Sequence, residues 1–323
     1  MELPKTLVDS ITTHFSEYGM KKIQKAAHEL SLRYREKQNT NTRFIQTKEE
    51  AIAYLCMRFP ATFAVNYRVF SELEKYIDLT SVSSLLDLGS GSGASLFAAQ
   101  SIFPHLNQAC LVEQDSFLID LGKTLFKESG VHVKPAWLCE NFTSLVKASP
   151  AELVVFSYSI GEAPKNSFGE IFEHILPFVN KYLVIIEPGT PVGFERILHA
   201  RDILLKKGLH ILAPCPHAKT CPMNKTFKWC HFTQRLPRTS FHKYLKDASL
   251  GYEDEKFSYI IMSKKELSAP QDRIVGHPKI SSGFAEFEVC SVEGALETKK
   301  ILKRNVENFG ILKKLEWGNV LIE

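Results

Sequence analysis

The chain has 323 residues, of which 44% are hydrophobic and 24% charged, and its formal net charge at pH 7 is +4; these values are ordinary for a globular protein with one large core or two modest domains. No apolar run approaches the roughly 20 residues that a membrane-spanning helix requires, so we expect no membrane contact. Acidic residues near the N-terminus argue against a secretory signal or a transit peptide, and we expect a cytoplasmic, monomeric protein whose seven cysteines are reduced thiols or metal ligands.

The first predicted region, residues 1–80, is helical because apolar residues recur there at three- and four-residue spacing. The segments with this pattern are 7–18, 20–36, 49–59 and 61–77. Pro60 separates the last two, and since proline removes a backbone donor we expect it to interrupt the helix. Residues 36–44 are polar and are predicted to form a loop.

From Val82 onward the pattern changes to short apolar runs that alternate with helical segments. The apolar runs are 83–89, 108–115, 133–142, 152–159 and 182–189. Strand-like runs and helices that alternate at this spacing indicate βαβ units and a parallel sheet. After Lys246 the chain is rich in β-type patterns, and these strands either extend the main sheet or form a small appendage.

A glycine-rich loop follows the first apolar run. It places Asp87, Gly89, Gly91 and Gly93 at every second position, between a predicted strand and a predicted helix. Glycines let backbone N–H groups approach a ligand closely, and the start of a helix favours polar or negative groups. Glu113 ends the next strand, where a carboxylate suits the hydroxyls of a ribose.

The acid ahead of the loop and the spacing of the glycines are typical of Rossmann-like methyltransferases that use S-adenosylmethionine, and differ from the dinucleotide fingerprint. We therefore expect S-adenosylmethionine as a cofactor, with an NAD-type fold and a loop that binds nothing as the alternatives. The glycine-loop amides would hold the methionine end and Glu113 the ribose. Glu140 and Asn141, which follow the third apolar run, either contact the adenine or belong to a solvated loop.

Residues 157–162 occupy the position of the catalytic motif, after the fourth apolar run. Neither an Asn/Asp-Pro-Pro-Tyr motif, which many base N-methylating enzymes use, nor a Pro-Cys or Thr-Cys dipeptide, which attack on cytosine C5 needs, is present there. Glu162 is the one catalytic candidate, either as a general base or, as we prefer, as a cap of the next helix. The sequence leaves the catalytic group unknown.

Four cysteines outside the core of the sheet form the second candidate site. Cys215, Cys221 and Cys230 lie in one proline-broken segment, and Cys290 follows after 59 intervening residues. Four thiolates would satisfy either a [4Fe–4S] cluster or a zinc ion, although the gaps are wider than those of zinc knuckles. Four unlinked buried thiols are the remaining alternative.

The cysteine segment lies in a basic stretch, residues 196–246, which contains eleven Lys or Arg against one acid. Phosphate backbones are the commonest cellular partner of such a surface, unless acids elsewhere in the fold balance it. Aromatic residues and arginines are interleaved in 229–238, an arrangement that can stack on bases and pair with phosphates. Arg235, Arg238 and Lys243 are the predicted RNA contacts.

Together these pieces resemble a family of ribosomal small-subunit (Rsm-type) methyltransferase-like proteins, which includes bacterial members and mitochondrial ribosome-assembly factors. The matching segments are 54–73, 85–94, 156–162, 185–194, 215–238, 253–260 and 289–294. The resemblance implies a methyltransferase-like domain that binds small-subunit rRNA and carries a [4Fe–4S] cluster on Cys215, Cys221, Cys230 and Cys290. It implies no particular substrate nucleotide.

The predicted fold class is α/β, a Rossmann-like class I methyltransferase fold with an N-terminal helical region, a cysteine-ligated metal module and C-terminal strands. The predicted domains are a helical region (1–80), a domain for S-adenosylmethionine (81–210), a Cys/His metal-binding basic module (211–246) and a β-rich region that supplies the fourth cysteine (247–323). The expected function is methylation of small-subunit rRNA. The alternatives are an assembly or translation factor that keeps the cofactor pocket without turnover, and a redox regulator of translation.

Overall fold

The computed structural model describes residues 3–35, 45–267 and 270–322, so the polar loop predicted at 36–44 lies outside the described residues. The α-helices are α1 (Lys5–Tyr18), α2 (Met20–Arg35), α3 (Lys48–Leu73), α4 (Ala94–Gln100), α5 (Ser116–Glu128), α6 (Phe168–Ile175), α7 (Pro191–Lys206), α8 (Ser240–Leu245) and α9 (Phe309–Leu312). The strands are β1 (Ser84–Leu88), β2 (Gln108–Glu113), β3 (Ala136–Cys139), β4 (Ala151–Ser157), β5 (Val179–Pro188), β6 (His210–Ala213), β7 (Phe232–Pro237), β8 (Tyr252–Ser263), β9 (Arg273–Ile274), β10 (Lys279–Ile280), β11 (Phe284–Cys290) and β12 (Leu296–Leu302).

Three helices precede the sheet, and their apolar faces follow the predicted periodicity. In α1 the buried side chains include Leu7, Ile11 and Phe15, one every four residues. The prediction that Pro60 interrupts the helix is wrong, because α3, which is 26 residues long, continues through this position. Pro60 and the residues around it are buried, so tertiary packing outweighs the backbone hydrogen bond that proline removes. In the described parts of the chain, no helix combines the length and apolarity needed to cross a membrane.

The main sheet has the strand order β3-β2-β1-β4-β5-β8-β6, and β7 pairs with β8. β1 to β5 are parallel, whereas β8 runs antiparallel to β5, β6 and β7. This order with its reversed strand is that of the class I methyltransferase fold, so the predicted fold class is confirmed. The sheet is buried on both faces: Leu85 packs in a core with α3, α4 and α5, and Leu86 in a core with α6 and α7.

The strands after Lys246 follow both of the alternatives that the sequence left open. β8 enters the main sheet between β5 and β6, whereas β9 to β12 form a separate antiparallel sheet with its own core. Arg273 joins the two parts, because its guanidinium lies 3.0 Å from the carboxylate of Glu72 on α3 and donates to the Pro214 carbonyl after β6 at 3.0 Å. Cys290, the last residue of β11, therefore borders the same cavity as the loop that follows β6.

Candidate functional site

The glycine loop between β1 and α4 lies at the edge of the sheet where the parallel strands end. Gly89, Gly91 and Gly93 have φ values of 76°, 56° and 90°, a region that other residues rarely occupy. A Cβ at Gly89 would lie 2.4 Å from the Cβ of Ser159, so only glycine lets the loop approach the segment after β4. A Cβ at Gly91 would meet no atom within 4 Å. The loop is therefore tight on one side and open on the other, as a ligand cradle requires.

The amides of this loop are less free than the sequence suggests. Those of Gly89 and Ser90 donate to the Val112 carbonyl at 2.9 and 3.0 Å. The amide of Gly91 donates to the carboxylate of Glu113 at 2.8 Å. A ligand in the cradle would therefore meet acceptor side chains more readily than free backbone donors.

Asp87, the penultimate residue of β1, is a wholly buried acid below the loop. Among the described residues, neither of its carboxylate oxygens has a hydrogen-bond donor of ordinary geometry, and the buried hydroxyl of Ser90 has no partner there either. Burial raises the pKa of Asp87 to about 7, and the charge of Glu113 adds to this, although the Ser95 hydroxyl lowers it. A cationic ligand would offset the cost of holding this carboxylate out of water.

Glu113 ends β2, as predicted, and its carboxylate lies against the loops. One oxygen accepts the Gly91 amide at 2.8 Å and the other accepts the Asp115 amide at 2.9 Å. Burial raises the pKa of Glu113, against these hydrogen bonds, which lower it. Each carboxylate oxygen can accept a second hydrogen bond, so ribose hydroxyls would still find acceptors here.

Glu140 and Asn141 follow β3, and the contacts of Asn141 are structural. Its side-chain oxygen accepts the Thr143 amide at 2.9 Å and so caps a short 3-10 turn, and its amide group donates to Gln114 at 3.1 Å. Asn141 is exposed and Glu140 is half-buried, so both can be reached from solvent. An adenine contact at these residues stays a prediction.

Glu162 lies in a short 3-10 turn after β4 (Ile160–Glu162). The preferred interpretation as a helix cap is wrong, because α6 begins only at Phe168. Part of the Glu162 residue is exposed to solvent, while protein atoms surround its carboxyl group. This partial loss of solvent raises the pKa of Glu162 to about 7, and the charges of Glu113 and Glu187 raise it further. A carboxyl group with such a pKa can accept or release a proton near neutral pH.

Glu187, close to the end of β5, is a further acid at this edge. One oxygen lies 2.9 Å from Nη1 of Arg196, and the other accepts the Gly161 amide at 3.2 Å. Burial raises the pKa of Glu187, although Arg196 lowers it. Together with the three acids described above, it makes the carboxyl ends of β1, β2, β4 and β5 strongly favourable to a cation.

Sequence reasoning missed a group formed by Arg58, Tyr158 and Glu255. Nη2 of Arg58 on α3 lies 3.0 Å from Oε1 of Glu255 on β8, and its guanidinium lies 5.5 Å from the ring centroid of Tyr158. Tyr158, directly after β4, has a φ of 60°, a left-handed conformation that is rare for an aromatic residue and that clusters at functional sites. Its place in the catalytic-motif segment was the only signal in the sequence, because backbone strain depends on tertiary contacts.

The four predicted metal ligands, Cys215, Cys221, Cys230 and Cys290, border one cavity of about 40 Å³. One water molecule needs about 10–15 Å³, so the cavity is larger than a single water molecule requires. Burial and the neighbouring sulfurs raise the pKa of Cys290 to about 12 and that of Cys230 well above its ordinary value. Among the described residues, no group of three or more His, Cys, Asp or Glu has the geometry of a site for a single metal ion.

Two buried arginines, Arg201 and Arg273, border the same cavity. Nη2 of Arg201 donates to the carbonyls of His217 and Lys219 at 3.0 and 2.7 Å, and the guanidinium interacts with Cys215. Thiolates gathered around a metal centre leave net negative charge, which these two cations would complement. Nothing in the sequence distinguishes Arg201 from the other cations of the basic stretch.

Asp202, the one acid within the basic stretch, and acids from elsewhere in the fold neutralise much of its charge. Its ion pairs are Arg196–Glu187, Arg201–Asp202, Lys207–Glu173, Lys219–Glu293, Lys228–Glu288, Arg235–Asp254, Arg238–Glu253 and Lys246–Glu253. Arg235 is still 64% exposed and lies 4.1 Å from the ring centroid of Tyr252. Lys243 has no ion pair within the part of the chain that the structure describes. RNA binding by Arg235, Arg238 and Lys243 stays a prediction, with Lys243 the least engaged of the three.

Comparison with known proteins adds a family match. The family model described as mitochondrial small ribosomal subunit Rsm22 matches residues 48–322. The mitochondrial ribosome assembly protein METTL17 of Homo sapiens is 27% identical over 232 residues, which are 68% of this chain and 50% of that protein. The mitochondrial ribosome assembly protein RSM22 of Saccharomyces cerevisiae is 23% identical over 312 residues, 67% of this chain and 50% of that protein. The chain thus spans about half the length of these curated relatives.

The solved structures that match this chain are more distant in sequence. Magnesium protoporphyrin IX methyltransferase from Synechocystis PCC 6803, with bound S-adenosylmethionine, is 10% identical with a TM-score of 0.43. That match covers 72% of this chain and 90% of the methyltransferase. The curated relatives are mitochondrial by name, and the cytoplasmic location expected for this chain stays a prediction.

Proposed function

Because this chain belongs to the mitochondrial small ribosomal subunit Rsm22 family, we propose that it is a ribosome assembly protein that binds S-adenosylmethionine, a four-cysteine metal centre and small-subunit rRNA. The names of METTL17 and RSM22, both ribosome assembly proteins, support the cellular role. The fold supports the cofactor, because the class I strand order brings the glycine loop and its acids to one edge.

The cofactor part of the proposal depends on one observation: within the described residues, Asp87 and Ser90 present buried oxygens at a glycine cradle that make no hydrogen bond of ordinary geometry. S-adenosylmethionine, when bound, supplies an electrophilic methyl group on a sulfonium and a cationic amino group. Asp87 would hold the amino group, and Glu113 would accept hydrogen bonds from the ribose hydroxyls. Since Glu162 and Glu187 add negative charge nearby, the site should bind the cationic donor more tightly than the uncharged thioether that remains after methyl transfer.

The four-cysteine cavity suits a [4Fe–4S] cluster as its proposed resident group; zinc, the alternative that the sequence left open, is less well supported, because the described residues contain no group with the geometry of a site for a single metal ion. The fit rests on four sulfurs around a space larger than one small species, bordered by Arg201 and Arg273. A cluster, when bound, would cross-link the segment after β6 to the end of β11. Cys290 would then join the second sheet to the main domain, and Arg201 would offset the negative charge of the thiolates.

The RNA part of the proposal places Arg235, Arg238 and Lys243 against phosphates. Since Asp254 and Glu253 already bind the two arginines, phosphates would have to compete with these carboxylates. Lys243 should therefore contribute more to affinity than either arginine, and its loss should lower the dependence of RNA binding on salt by about one counterion.

A second function, methyl transfer to an rRNA nucleotide, is favoured by the pKa of Glu162, which lies near 7. Glu162 would take the proton of the attacking RNA atom, and the glycine loop would hold the donor in line with that atom. For such a transfer the protein has to supply a proton acceptor and to hold the methyl donor in position.

Calorimetric titration and sedimentation with immature small subunits test the proposal. We expect the wild type to bind S-adenosylmethionine more tightly than S-adenosylhomocysteine and to co-sediment with the subunit, and Lys243→Ala to sediment less. A protein that binds neither cofactor nor subunit would refute the proposal. For the second function, label from the donor methyl group should enter RNA with the wild type but not with Glu162→Gln, although that variant still binds the cofactor. If no label enters RNA with the wild type, methyl transfer is refuted, and the proposed role in assembly is not affected.

A further inference from the structure

The loop of the four-cysteine site and the loop of the cofactor site touch each other. Trp229, immediately before Cys230, donates its indole N–H to the carbonyl of Gly189 at 3.0 Å. Gly189 follows Glu187 by two residues, and the carboxylate of Glu187 belongs to the acids of the cofactor site. One hydrogen bond therefore connects the neighbour of a predicted metal ligand with the loop that directly follows the strand carrying Glu187.

Gly189 has little freedom to absorb a movement of Trp229. Its amide donates to the Lys256 carbonyl of β8 at 2.8 Å. A Cβ at this position would lie 2.6 Å from the backbone of Lys256 and Phe257, so the loop already packs directly on β8. β8 and Trp229 therefore hold Gly189 from two sides, two residues beyond Glu187.

A second connection runs through α7. Thr190, next to Gly189, caps this helix by accepting the Gly193 amide at 3.1 Å. Arg196, in the second turn, pairs with Glu187 at 2.9 Å. Arg201, farther along the same helix, donates to two carbonyl oxygens of the segment between the first two cysteines of the cavity. The same helix therefore contacts an acid of the cofactor site and the cysteine loop.

We propose that Trp229 is a positioning residue that couples metal binding at the four cysteines to the binding of S-adenosylmethionine, an inference that rests on the proposed function. A metal centre that holds Cys230 fixes the adjacent indole, and the fixed indole holds the Gly189 loop in the conformation that keeps Glu187 at the cofactor site. Because coupling between two ligands is reciprocal, the cofactor then favours retention of the metal by the same factor.

The chain offers a matched control for this hydrogen bond. Trp229 and Trp317 both contact the ring of His231, with centroid distances of 5.3 and 4.6 Å. The indole N–H of Trp317 is buried and finds no acceptor among the described residues. Trp229→Phe therefore removes the bond to Gly189 and keeps an aromatic ring, whereas Trp317→Phe removes an N–H that bonds nothing. The difference between the two variants separates the hydrogen bond from ring packing.

Calorimetric titration with S-adenosylmethionine tests the coupling on protein reconstituted anaerobically with iron and sulfide, and on the same protein after chelation. We expect the wild type and Trp317→Phe to bind the cofactor about two- to tenfold more tightly when loaded, the range that one hydrogen bond can contribute. Trp229→Phe should bind it equally in both states. Iron and sulfide analysis of each sample excludes unequal loading as the cause.

A second measurement uses only loaded protein and so covers the case in which the metal-free form unfolds. S-adenosylmethionine should slow the release of iron to a chelator in the wild type and in Trp317→Phe, and should leave the rate in Trp229→Phe unchanged. Iron release that the cofactor does not alter in the wild type, or equal behaviour of the two variants, would overturn the coupling and leave the proposed function intact. Absence of cofactor binding in every sample would overturn the proposed function and this inference with it.

Discussion

Replacing Asp87 with asparagine should stabilise the cofactor-free protein at alkaline pH and abolish its binding of S-adenosylmethionine. Asp87 is wholly buried, and neither carboxylate oxygen has a hydrogen bond of ordinary geometry to any residue that the structure describes. Burial raises its pKa from 3.8 to about 7. The stability that Asp87 contributes is therefore fully present below pH 3.8 and is lost as the pH rises through about 7, because the folded protein must then hold a charge that water would solvate in the unfolded chain.

The magnitude follows from the pKa values. Each pKa unit corresponds to about 1.36 kcal/mol. Because the carboxyl group ionises more readily in the unfolded chain, Asp87 lowers the free energy of unfolding by about 2 kcal/mol at pH 5 and about 4 kcal/mol at pH 8. The amide of asparagine is itself a buried polar group without partners and costs about 1 to 2 kcal/mol at either pH. Asp87→Asn should therefore match the wild type at pH 5 and exceed its free energy of unfolding by about 2 to 3 kcal/mol at pH 8.

Urea unfolding followed by circular dichroism at pH 5, 6, 7 and 8 measures this difference, and calorimetric titration at pH 8 measures cofactor binding. Asp120→Asn, which removes an exposed carboxylate from α5, is the control and should leave cofactor binding unchanged. A stability difference that stays constant from pH 5 to pH 8, or a variant that is less stable at pH 8, would refute the reasoning. A more stable protein that no longer binds its cofactor is what a strained functional residue predicts.

Three further predictions test other parts of the molecule. Gly89→Ala should cost about 2 to 4 kcal/mol and weaken cofactor binding, because its Cβ would lie 2.4 Å from that of Ser159 at a φ of 76°; thermal unfolding and calorimetry measure both. Glu253→Gln should lower the free energy of unfolding by about 1 to 3 kcal/mol at pH 7, because the hydrogen bond that Glu253 accepts from His242, above all, holds the pKa of Glu253 well below its ordinary 4.5. In urea titrations this loss should become smaller as the pH falls below 4.5. Cys290→Ser should no longer hold the metal, and elemental analysis of the purified variant measures this loss.

Two controls accompany these variants. Gly91→Ala also places a side chain at positive φ but meets no atom within 4 Å, so it should cost only about 1 kcal/mol; an equal loss at both glycines would contradict the steric argument. Cys139→Ser removes an exposed cysteine outside the cavity and should keep the metal. Unchanged metal content in both cysteine variants would show that the distant ligand is wrongly assigned. For Glu253→Gln, a cost that does not depend on pH would exclude the ion pairs as its origin.

Much of the main sheet could be read from local pattern. The runs predicted at 83–89 and 108–115 contain β1 and β2, and the run at 152–159 contains all of β4 except its first residue. Parallel strands buried on both faces are continuously apolar and therefore stand out between helices. The glycines of the loop were also recognisable, since positive φ at three alternate positions leaves glycine as the favoured residue. These signals depend on neighbouring residues only, so a single sequence carries them.

The state of the side chains at the site depended on residues that are distant in the chain. The basic stretch suggested a surface open to phosphates, yet Arg235 and Arg238 are paired with acids of β8. The interpretation of Glu162 as a cap was local, whereas its raised pKa comes from burial and from the charges of Glu113 and Glu187. Charge and burial at a site depend on the residues that the fold brings together, and sequence spacing does not report them.

The amino-acid sequence by itself determined the α/β class, the glycine loop and the set of four cysteines, because each is a property of local pattern and residue type. Only the tertiary structure decided that α3 continues through Pro60, that β8 enters the main sheet in reverse, and that the four cysteines border one cavity. These outcomes depend on long-range packing, in which burial of many apolar side chains outweighs a single local preference and brings distant segments into contact.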